Sequence, residues 1–232
     1  MNKNYPVIAS VFTIGTLVAG MVSMVLVLEG RLLWAGTLIL VGVLADTVDG
    51  KIARATQTSS RFGVELDSLA DMVCFGVAAA LFAYQLLRLH QLSSLASLVA
   101  VLPVPVAGVF RLARFNLQPV KTGKDEYTLG LPITVAGAIL ALAGLSDLHY
   151  SASLFPVWTT VLLPLTLALL MISRVRFHSF NSVLRRKKTT TVVLGLGTLL
   201  SISFSPQLIS LTVVLSYVGV GVARAGWGLT NR

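Results

Sequence analysis

The sequence predicts an all-α integral membrane protein of about eight transmembrane helices, with a six-helix core followed by a C-terminal helical hairpin, and three observations predict it. The first is composition: 55% of the 232 residues are hydrophobic, 12% are charged and the mean hydropathy is +0.85, whereas a soluble domain carries about 25% charged residues. The second is that the apolar residues fall in runs of roughly 17 to 25, the helix length that crosses a hydrocarbon core about 30 Å thick. The third is the uneven division of bases between alternate connections. Disorder is excluded, because disordered chains are poor in the groups that gain from burial. Cys74, the single cysteine, excludes an intramolecular disulfide framework and any cysteine-rich zinc site.

The first run, 6–28, is preceded by only one base, Lys3, and is too long for the apolar stretch of a signal peptide, so it reads as a retained span. Runs at 32–50, 68–88, 93–113, 130–147 and 155–174 complete the core. The hairpin is 189–205, which is short and opens on three threonines, and 207–224, set off by little more than Pro206. With eight spans, sixteen of the eighteen Lys and Arg lie on the side that holds both termini, and only Arg31 and Arg88 lie on the other. That asymmetry predicts a multi-pass protein of the cell's cytoplasmic membrane with both termini inside. The formal charge of +9 is thereby explained without nucleic acid, and Arg185, Arg186, Lys187 and Lys188 read as an anchor on anionic headgroups. Trp34, Trp158 and Trp227 lie near span ends, as in an aromatic belt. His90, His149 and His178 read as surface histidines, Cys74 as a packing residue, and Gly195 with Gly197 as span packing.

The acids are clustered: Asp46, Asp49, Glu65, Asp67 and Asp71 are five of the nine. A carboxylate at the bilayer centre costs about 2.5–3.5 kcal/mol on insertion scales, so a group of them at the inner ends of two consecutive spans calls for compensation by positive charge or for partial hydration. Asp46 and Asp49 are spaced i,i+3 and Asp67 and Asp71 i,i+4, so each pair shares a helix face. A short helical link between antiparallel spans turns the two faces toward each other. Four carboxylates without His or Cys suit a hard divalent cation such as magnesium, manganese or calcium rather than zinc. The competing reading has these aspartates capping helix ends or pairing with Lys51, Arg54 and Arg61, and the paired spacing speaks against it. Gly50, Ala53 and Gly63 keep the approach to the acids open, which suits a phosphate-bearing ligand.

The stretch DTVDGKIARATQTSSRFGVELDSLAD, residues 46–71, resembles the motif of the CDP-alcohol phosphotransferases: D-x-x-D-G-x-x-A-R, eight residues, then G-x-x-x-D-x-x-x-D. All eight fixed positions are filled, by Asp46, Asp49, Gly50, Ala53, Arg54, Gly63, Asp67 and Asp71. The resemblance implies a membrane enzyme that moves a phosphate-bearing group from a CDP-linked donor to an alcohol and releases CMP. It further implies divalent metal ions, magnesium or manganese and two in number, on Asp46, Asp49 and Asp67, with Asp71 joining them or serving as general base. Asp49, Gly50, Ala53, Arg54, Gly63 and Asp67 are then expected to border the nucleotide and its diphosphate.

Further segments, ELDSLADMVCFGVA at 65–78, FRLARFN at 110–116, LGLPI at 129–133 and RVRFHSF at 174–180, resemble the bacterial and archaeal phosphatidylserine synthase branch of that superfamily. This implies CDP-diacylglycerol, or an ether-linked counterpart, as donor and L-serine as acceptor, and a homodimer. Residues 1–180 are then the catalytic membrane domain and 181–232 the basic loop and hairpin. The chain departs from the family's usual residues at Thr16, often Asn, and at Ala79, often Pro. A serine hydroxyl needs a base to accept its proton, and Asp71 is the candidate. Its carboxylate needs a cationic partner, and Arg111 and Arg114, with Asn116 just beyond, either supply it or serve as cytoplasmic anchors. Two other readings are open: another acceptor, such as glycerol phosphate or an inositol phosphate, and a cation-coupled transporter, whose acids would be expected in two repeated halves rather than one stretch.

Overall fold

The computed structural model describes residues 5–56, 61–117, 127–150 and 154–178, together with Leu215, Val218 and Gly219 near the C-terminus. Helix α1 (Tyr5–Leu28) and α2 (Leu32–Thr56) form an antiparallel pair. Their turn is set by Gly30, at φ 74°, with Gly30 N–H donating to the Val27 carbonyl and Arg31 N–H to that of Leu26. This is a Schellman closure, for which a residue without Cβ is suited to the left-handed position. Ser23 adds a buried hydroxyl bond of 2.9 Å to the Ala35 carbonyl, fastening α1 to α2.

The third span is one long helix wound in two ways. It runs as α3 (Arg61–Asp71), a π-helical segment (Met72–Ala78) and α4 (Ala79–Leu89). In an α-helix a four-residue repeat drifts by about 40° at each step. Wider π winding takes up that drift, and Asp71, Phe75, Ala79, Ala83 and Leu87, all four apart, are all buried. The N–H of Ala79 closes the π turn on the Cys74 carbonyl, a bond that the proline frequent at this place in the resembled family has no donor to make.

The fourth span is α5 (Ser94–Val101), capped by the Ser93 hydroxyl on Ala96 N–H, and α6 (Pro103–Asn116). Pro103 starts α6 where its missing N–H does least harm. Helix α7 (Ile133–His149) and α8 (Val157–Ile172) follow. Every residue of α7 from Ala136 to Asp147 is buried, so this helix, apolar all round, is the axis of the bundle. Its glycines admit the third span: a Cβ on Gly137 would lie 2.8 Å from Phe75 Cβ, and one on Gly144 would lie 2.3 Å from Leu86 Cδ1. On α1, Val11, Ile14, Val18, Met21 and Val25 point outward, an exposed apolar stripe of the kind that lipid covers.

Among the described residues, four helical stretches are long and apolar enough to cross a membrane, Val11–Leu28, Leu32–Gly50, Phe62–Leu89 and Ser94–Asn116, and two shorter apolar helices, Ile133–His149 and Val157–Ile172, lie where the hydropathy puts the fifth and sixth runs. The class is all-α, with one local addition. Strand β1 (Tyr127–Leu129) pairs antiparallel with β2 (Arg176–His178), so two segments singled out by sequence, LGLPI and RVRFHSF, meet backbone to backbone. The hairpin at 189–205 and 207–224 lies outside the described residues except for Leu215, Val218 and Gly219, which are helical.

The surface reading of His90 is overturned. Its side chain is 7% exposed, and its Nε2 lies 2.6 Å from Asp147 Oδ2 at the end of α7. The other carboxylate oxygen accepts from the N–H groups of Leu154 and Phe155, so Asp147 ties three segments at the end of the bundle away from the motif acids. A partner 57 residues away in sequence gives no spacing signal. Removing Asp147 leaves the His90 ring nitrogen and two backbone N–H groups without their partner, and a buried polar group left unsatisfied costs about 1–3 kcal/mol, so Asp147→Ala is expected to be destabilising. Asp147→Asn, which keeps an acceptor for the two N–H groups, is expected to cost less. Thermal unfolding in detergent checks the order, and equal melting temperatures for Asp147→Ala and the unaltered protein would refute it.

Candidate active site

Two helix ends bring the acids together. Asp46 and Asp49 sit in the C-terminal half of α2, while Asp67 is on α3 and Asp71 is its last residue before the winding changes. Carboxylate oxygens of Asp46, Asp67 and Asp71 lie within 4.8 Å of one another. Asp49 stands beside this trio, close enough for its charge to act on Asp67 and Asp71. Both Asp49 and Asp71 are buried, and each keeps one oxygen without a hydrogen-bond partner among the described residues.

That arrangement is unstable by itself. Four carboxylates crowd a space whose facing cation, among the described residues whose charge bears on Asp71, is Arg111 of α6. Like charges so close repel, and buried oxygens without donors lose their hydration without replacement. A hard divalent cation answers both conditions, since it takes carboxylate oxygens as ligands and brings two positive charges. The donor set therefore fits the metal that the sequence resemblance implies.

Neighbouring helices hold the acids in place. The Thr134 hydroxyl, in the first turn of α7, donates to Asp46 Oδ2 at 3.2 Å, and the Thr13 hydroxyl of α1 donates to Asp49 Oδ2. Neither threonine figures among the site residues expected from sequence. Thr13 is a polar residue in an apolar span and Thr134 directly follows LGLPI, and those are the only signals that mark them. Thr16, the departure from the resembled family, turns its hydroxyl back to the Phe12 carbonyl and is part of the core.

Of the residues expected to border the nucleotide, Gly50 lies one turn from Asp46 on α2, and Gly63 is in the first turn of α3. Ala53 and Arg54 belong to the last two turns of α2, and their side chains fall outside the described residues.

The three residues expected at the acceptor divide. Arg111 is buried, with its guanidinium carbon 5.7 Å from the centre of the Phe115 ring and its charge acting on Asp71. Arg114 faces elsewhere: its donors reach the carbonyls of Leu129 (2.9 Å), Ile172 (3.2 Å), Ser173 (3.4 Å) and Met171 (3.5 Å). It thereby caps the carboxyl end of α8, where a cation is favoured. Gly130, at φ 77°, makes room for this clasp, since a Cβ there would lie 2.3 Å from the Met171 carbonyl oxygen and 2.8 Å from the Arg114 guanidinium. Asn116 donates to Glu65 Oε2 (3.2 Å) and to Ser68 Oγ (3.1 Å), joining the end of α6 to α3 on the turns that carry Asp67 and Asp71.

The model of the family described as CDP-alcohol phosphatidyltransferase matches residues 6–143. The chain is 33% identical over 223 residues to a CDP-diacylglycerol–serine O-phosphatidyltransferase of Helicobacter pylori, an alignment covering 93% of this chain and 89% of that protein. A Bacillus subtilis protein of the same description is 32% identical over 174 residues, 75% of this chain and 91% of that one. An archaetidylserine synthase of Methanothermobacter thermautotrophicus is 32% identical over 162 residues, 68% of this chain and 64% of the relative.

Proposed function

The chain belongs to the CDP-alcohol phosphatidyltransferase family, and on that premise we propose that it is a membrane enzyme transferring the phosphatidyl group of CDP-diacylglycerol to the hydroxyl of L-serine. The products are phosphatidylserine and CMP. The observation that carries the reading is the convergence of Asp46, Asp67 and Asp71, with Asp49 beside them, from the two halves of the family motif. Serine as acceptor is supported by the relatives, since all three described above are named for serine. A cation-coupled transporter is set aside with the family assignment.

In the reaction, the serine hydroxyl oxygen bonds to the phosphorus next to the lipid, and the bond from that phosphorus to the bridging oxygen of the diphosphate breaks. Asp71 accepts the hydroxyl proton, and CMP departs with the bridging oxygen. Asp46, Asp49, Asp67 and Asp71 are the residues that would hold magnesium or manganese, as a pair of ions. When bound, such ions neutralise the diphosphate and the charge that develops on the leaving phosphate. Gly50, Ala53, Arg54 and Gly63 border the nucleotide on the α2 and α3 side.

Arg111, whose charge acts on Asp71, holds the serine carboxylate by a charge-assisted pair, so the hydroxyl is presented to the base. Arg114 and Asn116 serve the same end indirectly, by fixing α6 against α8 and α3. The site faces the cytoplasm of a cell whose inner membrane holds the protein, because the acids lie at the base-rich ends of the spans.

The test is CMP release by purified, detergent-solubilised protein given CDP-diacylglycerol, magnesium or manganese, and serine, glycerol phosphate or inositol phosphate in turn. Release with serine alone is the expected result. Release with a different alcohol alone would overturn the acceptor and leave the reaction class. An ether-linked donor belongs in the same series, because one of the relatives is named for archaetidylserine.

A further inference from the structure

The threonines of this bundle behave in two ways. Thr16, Thr37 and Thr47 each turn the hydroxyl back on the carbonyl four residues earlier in their own helix, at 3.2, 2.7 and 2.8 Å. Such back-bonding is the ordinary resting place of a threonine in a span. Thr13 and Thr134 also reach across, from α1 and α7, and each donates to one of the two acids of α2. The partners are 36 and 88 residues apart in sequence, so neither contact follows from local helix geometry.

From this we infer that Thr13 and Thr134 are positioning residues for the metal-binding carboxylates, fixing Asp49 and Asp46 so that their remaining lone pairs face the common space. The inference rests on the reading of the acids as metal ligands given above. A carboxylate on a single bond to Cβ turns freely until one oxygen is engaged. In Asp49 the engaged oxygen is Oδ2, and Oδ1 is left buried and without a hydrogen-bond partner among the described residues. In Asp46 the engaged oxygen is again Oδ2, and a carboxylate oxygen of the same residue lies in the group with Asp67 and Asp71. Hydroxyl donors also suit the site better than charged ones. A lysine or arginine in either place would neutralise the acid and compete with the cation, whereas a neutral hydroxyl orients the carboxylate and leaves its charge for the ion.

Outer partners of metal ligands are worth about 10- to 100-fold in metal affinity. The experiment is manganese binding to the full-length, detergent-solubilised protein without substrate, followed by the electron paramagnetic resonance of the free ion. Thr13→Val and Thr134→Val, which keep the side-chain shape, are expected to weaken binding about 10- to 100-fold. Thr13→Ser and Thr134→Ser, which keep the hydroxyl, are expected to stay within about 3-fold of the unaltered protein, below the roughly 10-fold floor of the effect assigned to the hydroxyl bond. Melting temperature in the absence of metal shows that each variant is folded. Unchanged affinity in the folded valine variants overturns the inference, and so does equal weakening by serine and valine, which would assign the effect to packing of the methyl group. Failure of the unaltered protein to bind manganese at all would instead sink the functional reading and this inference with it.

Discussion

Asp71→Asn is expected to lower serine-dependent CMP release by about 10²- to 10⁴-fold, the usual contribution of a positioned base. The substitution is nearly isosteric and keeps hydrogen-bonding capacity, but an amide cannot take up the serine proton. Asp71 is suited to the role by location, since it is buried, holds one oxygen clear of hydrogen bonds among the described residues, and is acted on by the charges of both Asp67 and Arg111. Because it also lies in the trio with Asp46 and Asp67, a loss of activity by itself does not separate a base from a ligand. A manganese titration does. If weakened metal binding is the whole effect, saturating manganese restores the rate. If proton acceptance is lost, the rate stays low at saturation. A variant within about 10-fold of the unaltered protein at saturation would remove Asp71 from the base role.

Asp46→Ala and Asp67→Ala are expected to abolish metal-dependent activity, with a fall of at least about 10²-fold, beyond what loss of an outer partner produces. Chelation of the unaltered protein with EDTA should give the same loss, reversed by magnesium or manganese. Melting temperature should move the other way. In metal-free protein the clustered carboxylates repel, so removing one of them relieves the repulsion and raises the melting temperature. In unaltered protein, added manganese should raise the melting temperature by mass action, and that rise should shrink or vanish in the variants. Variants that melt lower than the metal-free parent yet respond equally to manganese would refute the role of these acids as ligands and leave them a structural one.

The spans were legible because a membrane interior enforces composition over long runs, and the acids because i,i+3 and i,i+4 spacing at span ends places pairs on a face. Features that depend on distant partners were not. The bond between His90 and Asp147 joins residues 57 apart, and the Arg114 clasp makes a base at a span end look like an ordinary anchor. Sequence left Arg114 open between substrate contact and anchor, and its carbonyl partners explain how it meets neither description fully. Thr13 and Thr134 escaped because a threonine in an apolar helix normally satisfies itself. The π segment was hidden for another reason: one change of winding over seven residues alters which side chains share a face without altering the apolar run that contains them. Pairing of β1 with β2 explains why two motif segments 45 or so residues apart act as a unit, which no periodicity in either one announces.

Cys74 sits on the π segment between two glycines, where a Cβ on Gly20 would lie 2.7 Å from its Cα and a Cβ on Gly42 would lie 2.7 Å from its sulfur. Helices α1 and α2 therefore seal the thiol, which is fully buried and is the single one in the chain. The protein is in effect a native cysteine-free scaffold for labelling. A cysteine placed at Ser93 or Leu117, exposed positions at opposite ends of the fourth span, stands as the one accessible thiol without removal of the natural residue. Sidedness, distances between spans and contact between two copies can then be read with maleimide probes on protein whose active centre has not been altered.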